Sequence, residues 1–512
     1  MMHKPVAPLT GKIKILVDTN ILIQREDGAE TPRNIRSLLK LINDSERANV
    51  VIHPASRDDI MHDHDENRRR VVLSKLATYS EIENPPSVPN QFINSVYVTP
   101  NSHDLLDAAL LYCVKLRVVD FLITEDKRII RKAEKLDLKD NVLSIDEGLS
   151  FFSDLLLSRH LSVPPFVRRG KGYNLFEKLG DPFFDSFRND YPGFDGWFKT
   201  KARDRMCYYV MDRSRVISIA ILKEENTPIT MAKGMQIPAG RRLKVCSLKV
   251  AEESSGNKLI EKLLEIIFNE CILNGYDETY VTVFRKHENL IYVLKRFGFE
   301  KKGELDNQEE LYIKSFRPDS HSYEPMDYLR KYFPHYREDV NIKKVIVPIK
   351  QKFQRELFPD LTPNQRLIDI IGGSDLYYPS YGNAIIKIYV SASKVKPLET
   401  GTIMLFYKSG NSAGVITLGV VESSQRCNSI EELLSFCGNR TVYTIKQLNE
   451  MINKSKSLLA IKFWHINTKS FSFVSKARLK KIGIAIPQSI ASVSQAKFDI
   501  LKGDSNESHH VY

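Results

Sequence analysis

Residues 1–150 alternate short apolar runs with amphipathic stretches. Ile15-Leu16-Val17 stops abruptly at Asp18-Thr19-Asn20, and Ile21-Leu22 resumes the apolar run. So apolar and β-branched a run predicts a buried parallel strand with a carboxylate at its C-terminal tip. Over residues 35–42 apolar positions recur at three and four, the spacing of a helix. Val50-Val51-Ile52 predicts a second strand, halted at His53-Pro54. Ser56 then caps a helix with Asp58, Asp59 and Ile60 in its first turns. Another helix begins at Asp104 and carries Asp107 on the same face. A strand over residues 120–124 runs into Glu125-Asp126, so a carboxylate again follows a strand tip.

The pattern changes after residue 150. Residues 181–201 are rich in aromatics at helical spacing. Residues 207–211 and 216–222 predict antiparallel strands around a turn at 212–214. A strand over 243–250, ending at Val250, leads through Ser254-Ser255-Gly256-Asn257-Lys258 into an amphipathic helix over 259–269. A strand at 278–284 and a helix at 290–296 close on Phe297-Gly298-Phe299. From residue 345 the signals are mostly short strands, at 384–391, 401–407, 413–422 and 458–465, with helices inserted near 430–437 and 445–452.

These patterns predict a multidomain α/β chain. Its expected parts are a parallel-sheet α/β/α domain over 1–150 and a mixed α+β domain over 151–320. A connection over 321–344, a small β-barrel with helical insertions over 345–505 and a tail over 506–512 follow. The length of 512 residues exceeds one core and agrees with several domains. No run approaches the roughly 20 apolar residues of a membrane span, and the first ten residues lack a signal-peptide core. The six cysteines are scattered without CxxC pairs, which predicts reduced core thiols and a cytoplasmic setting. The net charge of +12 is unevenly placed: residues 339–504 hold 23 Lys+Arg against 12 Asp+Glu. A basic excess confined to one domain is the footprint of a polyanion-binding module, with a merely soluble basic surface as the alternative.

Acidic residues thus stand at two strand tips and two helix starts. Each alone reads as a cap. Brought together they would repel, since two unit charges about 4 Å apart cost on the order of 4 kcal/mol at an effective dielectric near 20. Hard divalent cations relieve such a cluster, and oxygen-only ligation suits Mg²⁺ or Mn²⁺. His62-Asp63-His64-Asp65-Glu66 is a solvated helix surface instead, because neighbours two apart do not share a face.

Val17-Asp18-Thr19-Asn20, Asp107-Ala108-Ala109-Leu110 and Leu122-Ile123-Thr124-Glu125-Asp126, in that order, resemble the PIN domain of toxin-type endoribonucleases. The resemblance implies a Mg²⁺ or Mn²⁺ site on Asp18, Asp107 and Asp126, with Asp104 one turn from Asp107. Thr124 and Asn20 take the supporting polar positions. The second acidic position is usually Glu in that family. Asp58 and Asp59 compete for it here, and Asp59 is preferred because Ile60 follows. RNA, either tRNA or mRNA, would be the substrate, and a homodimer and an inhibitory antitoxin protein would be partners.

Residues 243–299 resemble the GNAT acetyltransferase fold. That resemblance implies acetyl-CoA held by Val250, Ser255, Gly256, Asn257 and Lys258, its pyrophosphate at the helix N-terminus. Glu253 departs from the family's Gln/Arg position and Lys258 from its second Gly/Ala. Leu294 stands where a tyrosine acid is frequent, and His287 where Asn is usual. An active acetyltransferase and a structural unit both remain open. Tyr381-Gly382-Asn383-Ala384-Ile385, residues 401–407 and residues 414–421 resemble the ASCH/EVE group of PUA-like domains. This implies RNA binding, with Lys387, Lys394, Lys396, Lys408, Arg426 and Arg440 tracking phosphates; Tyr377, Tyr381, Tyr407 and Trp464 could stack bases, but each aromatic taken alone reads better as core or barrel packing.

Overall fold

The fold comes from a computed structural model. It describes residues 13–21, 33–45, 48–61, 69, 72–73, 76, 79–82, 84–97, 102–157, 167–212, 215–251, 258–319, 322–361, 384–410, 412–467 and 473–507. The chain is a multidomain α/β protein with one parallel sheet and two larger mixed sheets. Its contacts group into two compact units. The first comprises Met1–His160, Ile388–Lys394 and Gln425–Ala460; the second comprises Leu161–Lys387, Val395–Ser424 and Ile461–Tyr512. No helix among the described residues is long and apolar enough to cross a membrane.

The first unit is built on five strands: β1 (Ile13–Val17), β2 (Ala48–Ile52), β3 (Ser80–Glu81), β4 (Phe121–Ile123) and β5 (Val142–Leu143). Their order is β3-β2-β1-β4-β5, and every neighbouring pair is parallel. Ile13, Ile15, Leu16 and Val17 are all buried, as a strand flanked on both sides requires. The chain steps outward from β1 to β3, then returns to lay β4 on the other side of β1. That reversal makes β1 and β4 a topological switch point, where the carboxyl ends of adjacent strands open a crevice. The Ser102–Lys115 helix brings Leu110 and Leu111 into one core with Leu16, Val51, Leu122 and Val142.

The first unit also takes in part of the C-terminal third. Arg440 donates from Nε to both carboxylate oxygens of Asp140 at 3.0 Å, and the Asn439 amide donates to the Asp140 carbonyl. The Arg440 side chain is 1% exposed.

The second unit carries a seven-stranded sheet in the order β13-β14-β12-β11-β8-β7-β6. These strands are β6 (Val167–Lys171), β7 (Met206–Asp212), β8 (Arg215–Glu225), β11 (Arg242–Val250), β12 (Glu278–Phe284), β13 (Glu300–Glu304) and β14 (Glu309–Ser315). A separate ribbon pairs β9 (Ile229–Thr230) with β10 (Gln236–Ile237). The expected hairpin is β7 and β8, antiparallel through Asp212↔Arg215. The closing Phe297-Gly298-Phe299 is buried at both rings. Gly298 has φ +86°, and a Cβ there would lie 2.2 Å from the Arg330 carbonyl, so only glycine fits.

The C-terminal strands are β15 (Lys344–Ile349), β16 (Ile386–Ser391), β17 (Ile403–Lys408), β18 (Gly414–Cys427), β19 (Leu458–Ile466), β20 (Val474–Ser475) and β21 (Ala491–Val493). They form an open path, β16-β19-β18-β17-β15-β21, with β20 on β18. The expected β-barrel is therefore corrected: among the described residues the path does not close. Closure needs terminal strands long enough to pair at a consistent stagger. Here β21 has three residues and pairs only with β15. In the second unit, Leu263, Phe268 and Phe297 share one apolar cluster with Ile346, Leu405 and Trp464.

Candidate functional site

The switch point of the parallel sheet gathers carboxylates. The Asp18 amide donates to the Ile123 carbonyl at 3.0 Å, so the end of β1 stays tied to β4. Thr124, wholly buried, donates from Oγ1 to Asp18 Oδ2 at 2.5 Å. The Asp126 amide in turn donates to Thr124 Oγ1. Asp18 and Asp107 are only 4% and 7% exposed. The Asp107 carboxyl is pushed up to about 6, first by burial and then by the negative charges of Asp126 and Asp18. That dependence puts the three sequence-predicted carboxylates in one electrostatic field.

Cations on one helix face partly balance them. Asp126 caps the Lys127–Lys135 helix by accepting from the Arg128 amide at 2.6 Å. The Arg128 guanidinium also grips Asp126, with Nη2 at 2.9 Å from Oδ2. Burial raises the Asp126 carboxyl, but the Arg128 hydrogen bonds outweigh it and hold the group below its ordinary value. Lys132, one turn on, lies 3.7 Å from Asp104 Oδ1 and over the Tyr97 ring. Tyr97 donates its hydroxyl to Asp107 at 3.3 Å. Burial, then the Asp107 and Asp104 charges, drives that phenol well above its usual range and keeps it a donor.

The remaining sequence-predicted positions divide. Asn20 is exposed, and its amide faces Asp18 Oδ1 at 3.4 Å. Asp58 and Asp59 lie on the Ala55–Met61 helix, but their side chains fall outside the described residues. Sequence reasoning missed Tyr97, Arg128 and Lys132. The signal for the two cations was present: Arg128 follows a capping Asp by two residues, and Lys132 shares its face at i+4. Among the described residues no group of three or more His, Cys, Asp or Glu side chains stands close enough to hold a metal ion as placed. Asp126 is engaged by Arg128 instead. The donors are carboxylate oxygens only, two of them nearly buried and the third held by Arg128.

In the second unit, β11 and β12 pair in parallel from Arg242↔Glu278 only as far as Val245↔Val281. Beyond that register, among the described residues Ser247–Val250 pair with β8 and not with β12. Val250 stands at the end of β11, and Lys258 begins the Leu259–Asn274 helix with φ +54°. Ser255, Gly256 and Asn257, like Glu253, lie outside the described residues. Leu294 is fully buried and belongs to the core. His287 Nε2 is 2.6 Å from Asp190 Oδ2, and Lys286 also pairs with Asp190.

Several expected RNA contacts are corrected. Lys387 and Arg440 are 2% exposed or less, so they serve the interior and not a phosphate backbone, while Tyr407 and Trp464, at 3% or less, take the packing role. Lys394 and Lys396 are exposed, Lys408 and Arg426 partly so. Tyr377 and Tyr381 lie outside the described residues.

No family model matches the chain, and no curated protein matches it. Among solved structures, ASCH from Zymomonas mobilis is similar at 14% identity, covering 31% of this chain and 94% of that one, with a TM-score of 0.22. PaiA N-acetyltransferase from Thermoplasma acidophilum, solved with coenzyme A, is similar at 15% identity over 29% and 99%, TM-score 0.23. A GNAT-family acetyltransferase from Staphylococcus aureus Mu50 shows 15% identity over 30% and 100%, TM-score 0.22.

Proposed function

We propose that the first unit is a metal-dependent endoribonuclease of the PIN type. What supports this reading is that Asp18 and Asp126 meet through Thr124 at the switch point of a parallel sheet, with the nearly buried Asp107 on the adjacent helix. Asp18, Asp107 and Asp126 would hold Mg²⁺ or Mn²⁺, with Asp59 as a further ligand. Such an ion, when bound, would supply a Lewis acid and an acidified water for phosphodiester hydrolysis. Thr124 fixes the Asp18 carboxylate through its hydroxyl, and Tyr97 does the same for Asp107. Buried and oriented in this way, the two carboxylates need little reorganisation during the reaction. RNA as the polyanion rests on the basic excess of residues 339–504, carried at the surface by groups such as Lys394 and Lys396. The test is RNA cleavage in Mn²⁺ by the wild type and Asp18→Asn; equal cleavage by the two sinks the reading.

A second reading, acyl transfer from acetyl-CoA in the second unit, is favoured by the carboxyl ends of β11 and β12. There β11 runs on past its pairing with β12, and an extended ligand could pair beside it. The Asp190–His287 pair offers a base within the same sheet's loops. Calorimetry with acetyl-CoA decides it, and an absence of heat reduces this sheet to a scaffold.

A further inference from the structure

One end of the C-terminal sheet gathers lysines that have no carboxylate partner among the described residues. Ile349 of β15 stands level with Lys408 of β17, Lys408 with Gly414 of β18, and Gly414 with Ser475 of β20. The Ser409 amide donates to the Ile349 carbonyl and the Lys476 amide to the Ala413 carbonyl, so Lys350, Lys408 and Lys476 leave the sheet at the same end. Neighbouring strands lie about 4.8 Å apart, so these four strand ends span roughly 15 Å. Lys480 follows one turn after Lys476 on the same face of the Lys476–Lys481 helix. Lys350, Lys476 and Lys480 are exposed and Lys408 partly so. Among the described residues none of the four has an ion-pair partner. Exposed lysines elsewhere in the second unit are paired, Lys301 with Glu310, Lys302 with Glu300 and Lys343 with Glu399. The sequence explains the difference, since no Asp or Glu occurs between Glu450 and Asp499.

An exposed aromatic stands among these lysines. Phe473 is 50% exposed, and its ring lies against Gly414, where a Cβ would come within 2.6 Å of it. Glycine at 414 makes room for the ring, and half of the side chain is left to solvent. We propose that this sheet end binds single-stranded RNA, with Lys350, Lys408, Lys476 and Lys480 on its phosphates and a base stacked on Phe473. Phosphates supply the negative charge that the chain itself withholds here, and their neutralisation releases counterions. An exposed ring accepts any unpaired base through its face, whereas a duplex keeps those faces stacked on one another. A lipid surface suits the site less well. Leu479 is buried, so the Lys476–Lys481 helix turns its large apolar residue inward and offers a bilayer no apolar face. The proposal rests on the nuclease reading only for RNA as the polyanion, and it uses none of that reading's chemistry.

The test is fluorescence anisotropy of the full chain in chelator, with a fluorescein-labelled oligouridylate of about 12 nucleotides, free or paired to oligoadenylate. Chelator keeps metal-dependent cleavage out of the readout, and circular dichroism establishes that each variant is folded. A triple variant, Lys408→Gln, Lys476→Gln and Lys480→Gln, is expected to bind the single strand about a hundredfold more weakly at low salt. Its slope of log affinity against log salt should shrink by about 2. Phe473→Ala should weaken binding about tenfold and leave that slope unchanged, and Phe473→Tyr should keep wild-type affinity. Wild-type affinity and slope in the folded triple variant overturn the proposal. Equal affinity for the single strand and the duplex, or full affinity in Phe473→Ala, overturns the stacked base. Tighter binding to phosphatidylserine vesicles than to the oligonucleotide, lost in the triple variant, assigns the lysines to a membrane instead. Binding lost in the triple variant, together with equal cleavage by the wild type and Asp18→Asn in Mn²⁺, keeps this face and overturns the nuclease. Binding intact in the triple variant, together with cleavage lost in Asp18→Asn, does the reverse.

Discussion

The carboxyl edge of the parallel sheet in the first unit and the core of the second unit treat buried charge differently. In the second unit Glu261, 5% exposed, accepts from the Ile385 and Ile386 amides at 2.9 and 3.4 Å. Lys314, fully buried, donates to the Lys331 carbonyl at 2.8 Å and sits over the Phe268 ring. Glu261 meets amide donors of opposite polarity, and Lys314 meets backbone carbonyls although burial lowers its ammonium. At the carboxyl edge of the parallel sheet, Asp107 instead faces the like charges of Asp126 and Asp18. Thr19 Oγ1, His53 Nε2 and Ser56 Oγ, at the ends of β1 and β2, are buried without a hydrogen-bond partner among the described residues. Satisfied charge marks where a fold is being held, and charge in conflict marks where something else is being prepared. Substitutions should therefore separate the two edges, with function and stability moving apart at one and together at the other.

The largest separation is expected at Asp18. Asp18→Asn keeps the acceptor for Thr124 and removes one unit of negative charge. RNA cleavage in Mn²⁺ should fall on the order of a thousandfold, or about 4 kcal/mol of activation free energy. The melting temperature in chelator should hold or rise. A parallel loss of stability would make Asp18 an ordinary core group and erase the contrast.

Glu261→Ala should do the reverse. It takes the buried carboxylate acceptor away from the Ile385 amide, at a cost of about 3 kcal/mol of unfolding free energy read by urea titration. RNA cleavage by the folded fraction should not change.

Lys314 sharpens the comparison through pH. Burial lowers its ammonium to about 7, far below the usual lysine value near 10.4. Between those values the unfolded chain binds more protons than the folded one, so stability rises with pH. From pH 7 to pH 9 the gain should approach about 2 kcal/mol, since one proton contributes at most about 1.4 kcal/mol per pH unit. In Lys314→Met that rise should vanish; a pH profile unchanged by the substitution would remove Lys314 as its source.

Much of the acidic edge was legible in the sequence. A buried strand cannot end cheaply in a carboxylate, so the apolar runs before Asp18 and Asp126 announced them, and helical spacing offered Asp107. The counter-cations were not legible, because Arg128 and Lys132 matter only once a helix face is turned toward particular carboxylates. Arg440 was misread for a related reason. Its partner Asp140 is 300 residues away, and no local pattern distinguishes a buried, paired arginine from an exposed one. The charge count over residues 339–504 had the same defect, since it includes Lys387 and Arg440, both buried. In the C-terminal strands, apolar runs marked positions well but not closure, which depends on stagger between strands and not on any one of them.

The smallest effect is expected at Asp107, and it probes the conflict itself. The Asp107 carboxyl stands at about 6 in the folded chain, against an ordinary value near 4 when unfolded. The folded state therefore binds more protons between pH 4 and pH 6, and stability falls as pH rises through that window. Above about pH 6 the penalty is fully present, and below about pH 4 it is absent. Asp107→Asn keeps an acceptor for the Tyr97 hydroxyl and deletes the charge. In chelator it should raise stability by about 1 kcal/mol at pH 7.5, a discounted share of the two-unit shift, and by nothing measurable at pH 3.5. Saturating Mn²⁺ should reverse the order at pH 7.5, because the wild type gains binding energy that the variant has lost a ligand for. A variant less stable than the wild type in chelator at pH 7.5 would mean that Asp107, like Glu261, holds its unit together, and the two edges would no longer differ.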